Sequence, residues 1–199
     1  MAGTKTGVRD RIVRTALPLF AMQGFRATGI DRIIADSAVA KASFYRHFPS
    51  KDNLILACLE RWHISHFAAL KIAVEAGEVK SRPLFLFDSL PEVSEATLRG
   101  DLLITATVEF GTTKPAIADV VAAARHQLCE WFETLLVEAG YADMADTLSH
   151  EWLLLYEGAM LGALRETPQQ AARCARANAE RSLQQIQLKR LLSKTLPGT

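Results

Sequence analysis

Apolar residues recur with helical spacing from the first segment of the chain onward. Between residues 8 and 23 the pattern i, i+4, i+7, i+8 is occupied by Ile12, Ala16, Leu19 and Phe20. This spacing predicts a helix with one buried face. Gly24 then offers a residue that can take the left-handed conformation in which helices commonly end. Pro18 interrupts the pattern and predicts a kink or a shortened regular helix.

Two short segments with apolar anchors follow, at residues 30–36 and 41–48, and only a few residues join them. Thr28 is the predicted N-cap of the first, with Asp31 placed favourably in its first turn. The second segment carries hydrogen-bonding side chains within two helical turns: Lys41, Ser43, Tyr45, Arg46 and His47. Two short helices so close together predict a helix-turn-helix.

The remainder of the chain also has helical patterning, with Gly and Pro residues as breaks between segments. The expected helices cover residues 51–76, 84–90 (ended by Pro91), 97–110, 115–139, a stretch from Asp143 or Asp146 to about Glu166, and 168–191. Ser50 is the predicted N-cap of the long fourth helix. The pattern therefore predicts an all-α fold of about nine helices, divided into a domain at 1–51 and another at 52–199.

The net charge of +1 hides an uneven distribution along the sequence. Residues 1–51 hold nine Lys/Arg against three Asp, a net of +6, whereas residues 52–199 have a net of −5. A basic N-terminal domain on a mildly acidic remainder is the distribution expected where that domain meets a polyanion.

Cysteine content and hydropathy indicate the cellular compartment of the protein. The three cysteines are scattered and odd in number, and no apolar run approaches the roughly 20 residues that span a bilayer. The expectation is a cytoplasmic protein with reduced thiols and no membrane partner.

The segment FYRHFPSKDNL, with A-x-x-G-F-R-A-T about twenty residues upstream, resembles the TetR family of transcriptional regulators. The matching positions cover roughly the first 55 residues: Ile12, Ala16, Phe20, Gly24, Phe25, Thr28, Ile33, Val39, Lys41, Ser43, Tyr45, His47, Phe48, Ser50, Lys51 and Leu54. The resemblance implies an N-terminal three-helix DNA-binding domain and a C-terminal helical domain for ligand binding and dimerisation. The family usually carries Gly at the positions of Ala38 and Ala42 and Ser at that of Ala40, so the preferred DNA sequence is open.

By this resemblance a set of residues would contact a double-stranded DNA operator. Lys41, Ala42 and Ser43 would lie near base edges, with Arg46 reaching further along the groove. Thr28, Tyr45, His47 and Lys51 would hold phosphates. The chemistry of these side chains suits the roles, because Lys can bond guanine and a methyl group can touch the methyl of thymine.

Large apolar and aromatic residues of the second domain are either core residues or the lining of an effector pocket. The candidate pocket residues are Trp62, His66, Phe67, Phe85, Phe87, Phe110, His126, Trp131, Trp152 and Tyr156. Small residues in the last two helices allow close helix approach, and the candidate homodimer interface comprises Gly158, Gly162, Ala171, Ala175 and Ala179.

The function expected from these features is a ligand-responsive regulator, a repressor that binds a palindromic operator as a dimer and is released by a small hydrophobic or aromatic effector. The alternative is a helix-turn-helix regulator without an effector, acting as an activator or architectural factor. Glu60, His63 and His66 have spacings that could hold a metal, but no further ligand cluster accompanies them. We expect no metal, no cofactor and no enzymatic activity.

Overall fold

The computed structural model describes residues 7–96, 101–163 and 167–195. Within these ranges the secondary structure is entirely helical, which confirms the predicted all-α class. The described residues form nine helices: α1 (Val8–Gln23), α2 (Ile30–Ser37), α3 (Lys41–His47), α4 (Lys51–Glu75), α5 (Arg82–Ala96), α6 (Leu102–Phe110), α7 (Pro115–Glu138), α8 (Ala145–Gly162) and α9 (Pro168–Thr195).

The helices form two compact units. The first unit comprises Met1–Ala69 and Glu95–Gln127, and the second comprises Leu70–Ser94 and Leu128–Thr199. The first unit therefore contains residues far beyond position 51 in addition to the helix-turn-helix. The predicted division into domains at 1–51 and 52–199 stays a prediction.

The core of the first unit is built on α1, which packs against α2 and α3. Its apolar stripe is buried as predicted, with Ile12, Ala16 and Phe20 fully inaccessible. The ring of Phe25 lies 4.9 Å from that of Phe20 and 5.8 Å from that of Phe110 on α6, measured between ring centroids. These three rings pack α1 and the loop after it against α6 within the first unit.

The core of the second unit is rich in aromatic side chains. Trp152 and Tyr156 of α8 are fully buried together with Phe87 of α5 and Phe132 of α7. Helices α8 and α9 pack along each other. The predicted start of α9 is confirmed, since the Thr167 hydroxyl accepts a hydrogen bond from the N–H of Gln170 at 3.3 Å.

Two helices continue through an internal proline. Helix α5 was expected to stop at Pro91 but extends to Ala96, and α1 spans Val8–Gln23 with Pro18 inside it. A proline inside a helix removes one hydrogen bond and crowds the preceding turn, at a cost of about 3 kcal/mol. In α5 the residues Leu86, Phe87 and Leu90, which precede Pro91, are buried.

Two helix starts also differ from expectation. Helix α6 begins at Leu102 with Asp101 as its N-cap, the carboxylate accepting from the N–H of Leu103 at 2.7 Å. The expected start at 97 lies outside the described residues, as does the expected end of α8 at Glu166. Neither Asp143 nor Asp146 caps α8, whose N-cap is Met144.

Candidate nucleic-acid interface

Helices α2 and α3 are held in place by a small number of buried side chains. Ile33 of α2, Val39 of the turn and Phe44 of α3 are all buried. The ring centroids of Phe44 and Phe48 lie 6.1 Å apart, and the guanidinium of Arg9 stands over the Phe48 ring at 5.2 Å. These anchors fix which side of α3 faces outward.

The outward side of α3 is polar and basic. Lys41, Arg46 and His47 are exposed, and Tyr45 is 39% exposed. Ala42 is exposed as well, and Ser43 is partly buried. Six of the eight predicted DNA-contacting residues therefore share one short helix, five of them exposed, with the buried Phe44 on its inner side.

Lys41 makes an ion pair in the unbound protein. Its Nζ lies 3.2 Å from Oδ1 of Asp31, and both side chains are largely exposed. An exposed pair of this kind contributes only about 0–1 kcal/mol. The ammonium group can therefore exchange Asp31 for another acceptor at little cost.

Thr28 does not have the predicted role of N-cap. The N-cap of α2 is Gly29, and no side chain caps that end. The Thr28 hydroxyl is fully buried, 2.7 Å from the carbonyl oxygen of Gly24 and 3.2 Å from that of Leu19. Its hydroxyl thus ties the end of α1 to the start of α2 and faces away from any phosphate on the surface.

The turn between α2 and α3 has a strained residue at Ala38. Its backbone is left-handed, at φ 51° and ψ 43°. The N–H of Ala38 bonds to the carbonyl of Ala35 at 3.1 Å, and the N–H of Val39 to that of Ile34 at 3.4 Å. This is the hydrogen-bond pattern of a Schellman motif, in which the left-handed position is usually Gly. Ala38 adopts the positive φ that glycine would take here and therefore accepts the strain.

Helix α3 begins without a side-chain cap. Ala40 is its N-cap residue and makes no capping bond, as expected from a residue without a polar side chain. The first amides of α3 are therefore available to an outside acceptor such as a phosphate oxygen.

Lys51 and Glu109 meet at the loop between α1 and α2. The Glu109 carboxylate accepts the N–H of Phe25 at 2.8 Å and that of Arg26 at 2.6 Å. The Lys51 ammonium donates to the carbonyl of Arg26 at 3.1 Å. Burial lowers the pKa of Lys51, while Glu109 and Asp52 oppose that shift.

The carboxylate of Glu109 also restricts Gly24. A Cβ atom at position 24 would lie 2.3 Å from its Oε1, and the φ of Gly24 is +81°. We name the contact of Glu109 with the amides of Phe25 and Arg26 the α6 clamp. No local pattern in the sequence marks Glu109 for this role, because the two amides that it accepts lie more than 80 positions away.

The candidate pocket residues fall into both units. Trp62, His66, Phe67, Phe110 and His126 belong to the first, whereas Phe85, Phe87, Trp131, Trp152 and Tyr156 belong to the second. His66 is fully buried and stacks on Trp62 with ring centroids 4.6 Å apart. Burial, followed by the charge of His63, lowers the pKa of His66 to about 4. The assignment of these residues to a pocket stays a prediction.

Most of the small residues predicted for a dimer interface pack within a single chain. Ala171, Ala175 and Ala179 are buried, and a Cβ at Gly162 would stand 3.2 Å from that of Ala171. They permit the close packing of α8 on α9 within one chain, and their assignment to a dimer interface stays a prediction. Gly158, in contrast, is exposed and has open space around it.

In the described part of the chain, no group of three or more His, Cys, Asp or Glu side chains could hold a metal ion. None of its helices is both long and apolar enough to cross a membrane.

Helices α2 and α3 form a helix-turn-helix that packs on α1, and its second helix, α3, is exposed and basic. A model of the family described as bacterial regulatory proteins, tetR family, matches residues 12–58. The solved structure of SCO4454, a TetR-family transcriptional regulator from Streptomyces coelicolor, is 26% identical, covers 92% of this chain and 91% of its own, and gives a TM-score of 0.82.

Curated relatives are similar mainly over the N-terminal region. The HTH-type transcriptional regulator YerO of Bacillus subtilis (strain 168) is 42% identical over 52 residues, which is 26% of this chain and 18% of YerO. The HTH-type transcriptional repressor NemR of Escherichia coli (strain K12) is 29% identical over 83 residues, 42% of either chain. The matches thus span less than half the length of these relatives.

Residues 12–58 are thus similar to the TetR family model, as the motif around α3 predicted, and the chain has the fold of a solved TetR-family regulator. The relatives named above are described as transcriptional regulators, which agrees with the expectation that the chain is not an enzyme.

Proposed function

We propose that this protein is a DNA-binding transcriptional regulator that acts as a dimer. The observation that carries the proposal is the division of α3 into a buried aromatic side and an exposed basic side. A short helix presented in this way fits the major groove of B-DNA, where Lys and Arg can bond guanine edges.

The roles of individual residues follow from their positions. Lys41, Ala42 and Ser43 lie in the first turn of α3, where a recognition helix meets base edges. Arg46 and His47 extend the basic side, and Tyr45 adds a hydroxyl that can reach a phosphate. Lys51 supports the adjoining loop through Arg26 and adds positive charge close to it. Thr28 is left out because its hydroxyl faces inward.

The test is a binding measurement on a DNA duplex selected from a random library with the full-length protein. We expect Arg46→Ala to weaken binding by roughly tenfold or more, because a lost base or phosphate contact costs about 1–3 kcal/mol. Arg173→Ala, which removes an equally exposed arginine from α9, is the matched control and should bind normally. Fluorescence anisotropy at several salt concentrations gives both affinity and salt slope. Equal binding by the two variants would argue against α3 as the DNA-reading helix.

Dimerisation is proposed through the outer side of α8 and α9. Leucines on this side are exposed in the single chain, at 66% for Leu154, 51% for Leu161 and 58% for Leu188. Glu151, Leu154 and Leu155 of α8 line a groove of about 350 Å³ together with Asn178, Arg181, Ser182 and Gln185 of α9. A second copy of the same face would cover these leucines in a two-fold symmetric contact, and a pair of recognition helices would then meet two half-sites.

We propose further that the regulator is a repressor released by a small hydrophobic or aromatic effector. The support is the aromatic content of the helical body together with the name of one relative, NemR, which is described as a repressor. An effector would weaken the DNA complex if it bound the DNA-free conformation more tightly, and a coupling of about 1–3 kcal/mol corresponds to a 5- to 150-fold change. A DNA complex that is indifferent to every compound that binds the protein would favour the alternative, a regulator without an effector.

A further inference from the structure

Trp152 has a buried polar atom, its indole nitrogen Nε1, in the core of the second unit. Its side chain is 1% exposed. Among the residues that the structure describes, its Nε1–H has no hydrogen-bond partner. A buried donor left without a partner costs about 1–3 kcal/mol, so such groups are rare unless something outside the chain completes them.

The surroundings of Trp152 are aromatic rather than polar. The ring of Phe87, on α5, meets it edge to face at a centroid distance of 5.5 Å. One helical turn further along α8, the ring of Tyr156 lies 5.8 Å from that of Phe132. An aromatic ring face is only a weak acceptor for the indole proton, and carbonyl groups within α8 are engaged in the helix itself.

We infer that Trp152 is the hydrogen-bond donor in a binding site for a small, mostly apolar molecule that carries a neutral oxygen acceptor, such as a ketone, ester or ether. An indole N–H can only donate, so the ligand must supply the acceptor. The aromatic neighbours suit an apolar or aromatic body. The inference rests on the proposed function, in which this molecule is the effector.

Two small aromatic probes differ only in whether they carry an oxygen that can accept a hydrogen bond. Acetophenone has a carbonyl group where α-methylstyrene, of nearly the same shape, has a methylene group. For the full-length protein we expect acetophenone to bind about 5- to 10-fold more tightly, the difference of one hydrogen bond to a buried donor. Isothermal titration calorimetry or thermal shift measures both.

Variants assign the preference to one side chain. Trp152→Phe should bind the two probes equally, because it removes the donor and keeps an aromatic ring. Tyr141→Phe, which removes the hydroxyl of another buried aromatic residue of the same unit outside the candidate pocket set, should keep the preference for acetophenone. Equal binding by the unmodified protein, binding of neither probe, or a preference that persists in Trp152→Phe would overturn the inference.

A spectroscopic readout avoids dependence on the folding of a variant. In the 15N-labelled protein the three tryptophans give separate indole N–H resonances, and that of Trp152 should move downfield with acetophenone and much less with α-methylstyrene. An unmoved resonance contradicts the inference.

DNA binding is measured separately with the same probes. DNA release by compounds that leave this resonance unchanged would keep the proposed function and reject Trp152 as the donor. A shift of the resonance without any effect on DNA would keep the site and reject its regulatory role.

Discussion

At the scale of single residues, Ala38 has a left-handed backbone conformation that alanine rarely adopts. The left-handed conformation costs a residue with a Cβ about 1–2 kcal/mol, whereas glycine adds about 0.5–1 kcal/mol of chain entropy to the unfolded state. The first effect is the larger one. We therefore expect Ala38→Gly to raise the free energy of unfolding by about 0.5–1 kcal/mol in urea denaturation.

A nearby alanine provides the control of opposite sign. Ala35 is exposed and lies inside α2 with regular helical geometry. Ala35→Gly should therefore destabilise the protein by about 1 kcal/mol, the ordinary cost of glycine in a helix. If both substitutions changed the free energy of unfolding in the same direction, backbone strain at Ala38 would not be the dominant effect.

His66 makes stability depend on pH. Its pKa is lowered to about 4 in the folded protein, mainly by burial, whereas an unfolded histidine titrates near 6.5. Between these values the unfolded chain binds more protons, so stability falls as the pH is lowered from about 6.5 toward 4. The loss attributable to His66 should approach about 3 kcal/mol and should be absent above about pH 7.

The measurement is urea unfolding of the unmodified protein and of His66→Phe at about pH 7, 5.5 and 4.5. The variant keeps a ring against Trp62 and should show a smaller acid loss, whatever its stability at neutral pH. His150→Phe changes an exposed histidine of α8 and should retain the full acid loss. Identical pH profiles for His66→Phe and the unmodified protein would contradict the assignment.

At the scale of elements, the α6 clamp ties one helix to a distant loop. The Glu109 carboxylate receives two adjacent backbone amides just before α2. In Glu109→Gln the side-chain NH₂ would face one of these amides, so one donor would lose its acceptor. We expect a loss of about 1–3 kcal/mol in stability and faster hydrogen exchange at Phe25 and Arg26.

Exposed Glu133 of α7 provides the control for the charge change. Glu133→Gln should leave both the stability and the two exchange rates close to those of the unmodified protein. Unchanged exchange at Phe25 and Arg26 in Glu109→Gln would show that the clamp does not restrain the loop.

Local signals in the sequence were enough to predict most helix boundaries. Gly24, Gly111 and Gly140 end or follow helices with positive φ, and Ser50 caps α4 through the N–H of Asn53 at 3.2 Å. Thr28 did not cap α2 because its hydroxyl is buried against the carbonyls of Gly24 and Leu19. Asp101 was missed as a cap because an apolar pattern alone does not mark where a helix starts.

At the scale of the whole molecule, the recognition motif could be predicted because its residues are close in sequence. The exposed residues of α3 lie within seven positions, so one amphipathic pattern places them on one side. The α6 clamp, the division into units and the use of Ala171, Ala175 and Ala179 depend on contacts between distant segments. Small residues favour close packing without specifying whether the partner helix belongs to the same chain.

The proposed dimer can be tested by placing a charge on its face. Leu154→Arg should shift the chain toward the monomer, because an unpaired guanidinium would be buried at the contact. Ile72→Arg alters an equally exposed apolar residue, 72% accessible on α4, and should keep the dimer. Sedimentation velocity over a range of concentrations distinguishes the two. A dimer of undiminished affinity in Leu154→Arg would place the contact elsewhere.

The close approach of Gly24 to Glu109 has a consequence for how this sequence can diverge. A methyl group at position 24 would collide with the carboxylate, so the two positions are not free to vary independently. The Glu109 side chain could swing away from that methyl group, but it would then lose the amides of Phe25 and Arg26. A side chain at position 24 would therefore be strained by its own φ of +81° and would also release the α6 clamp, so this loop depends on a glycine for two separate reasons.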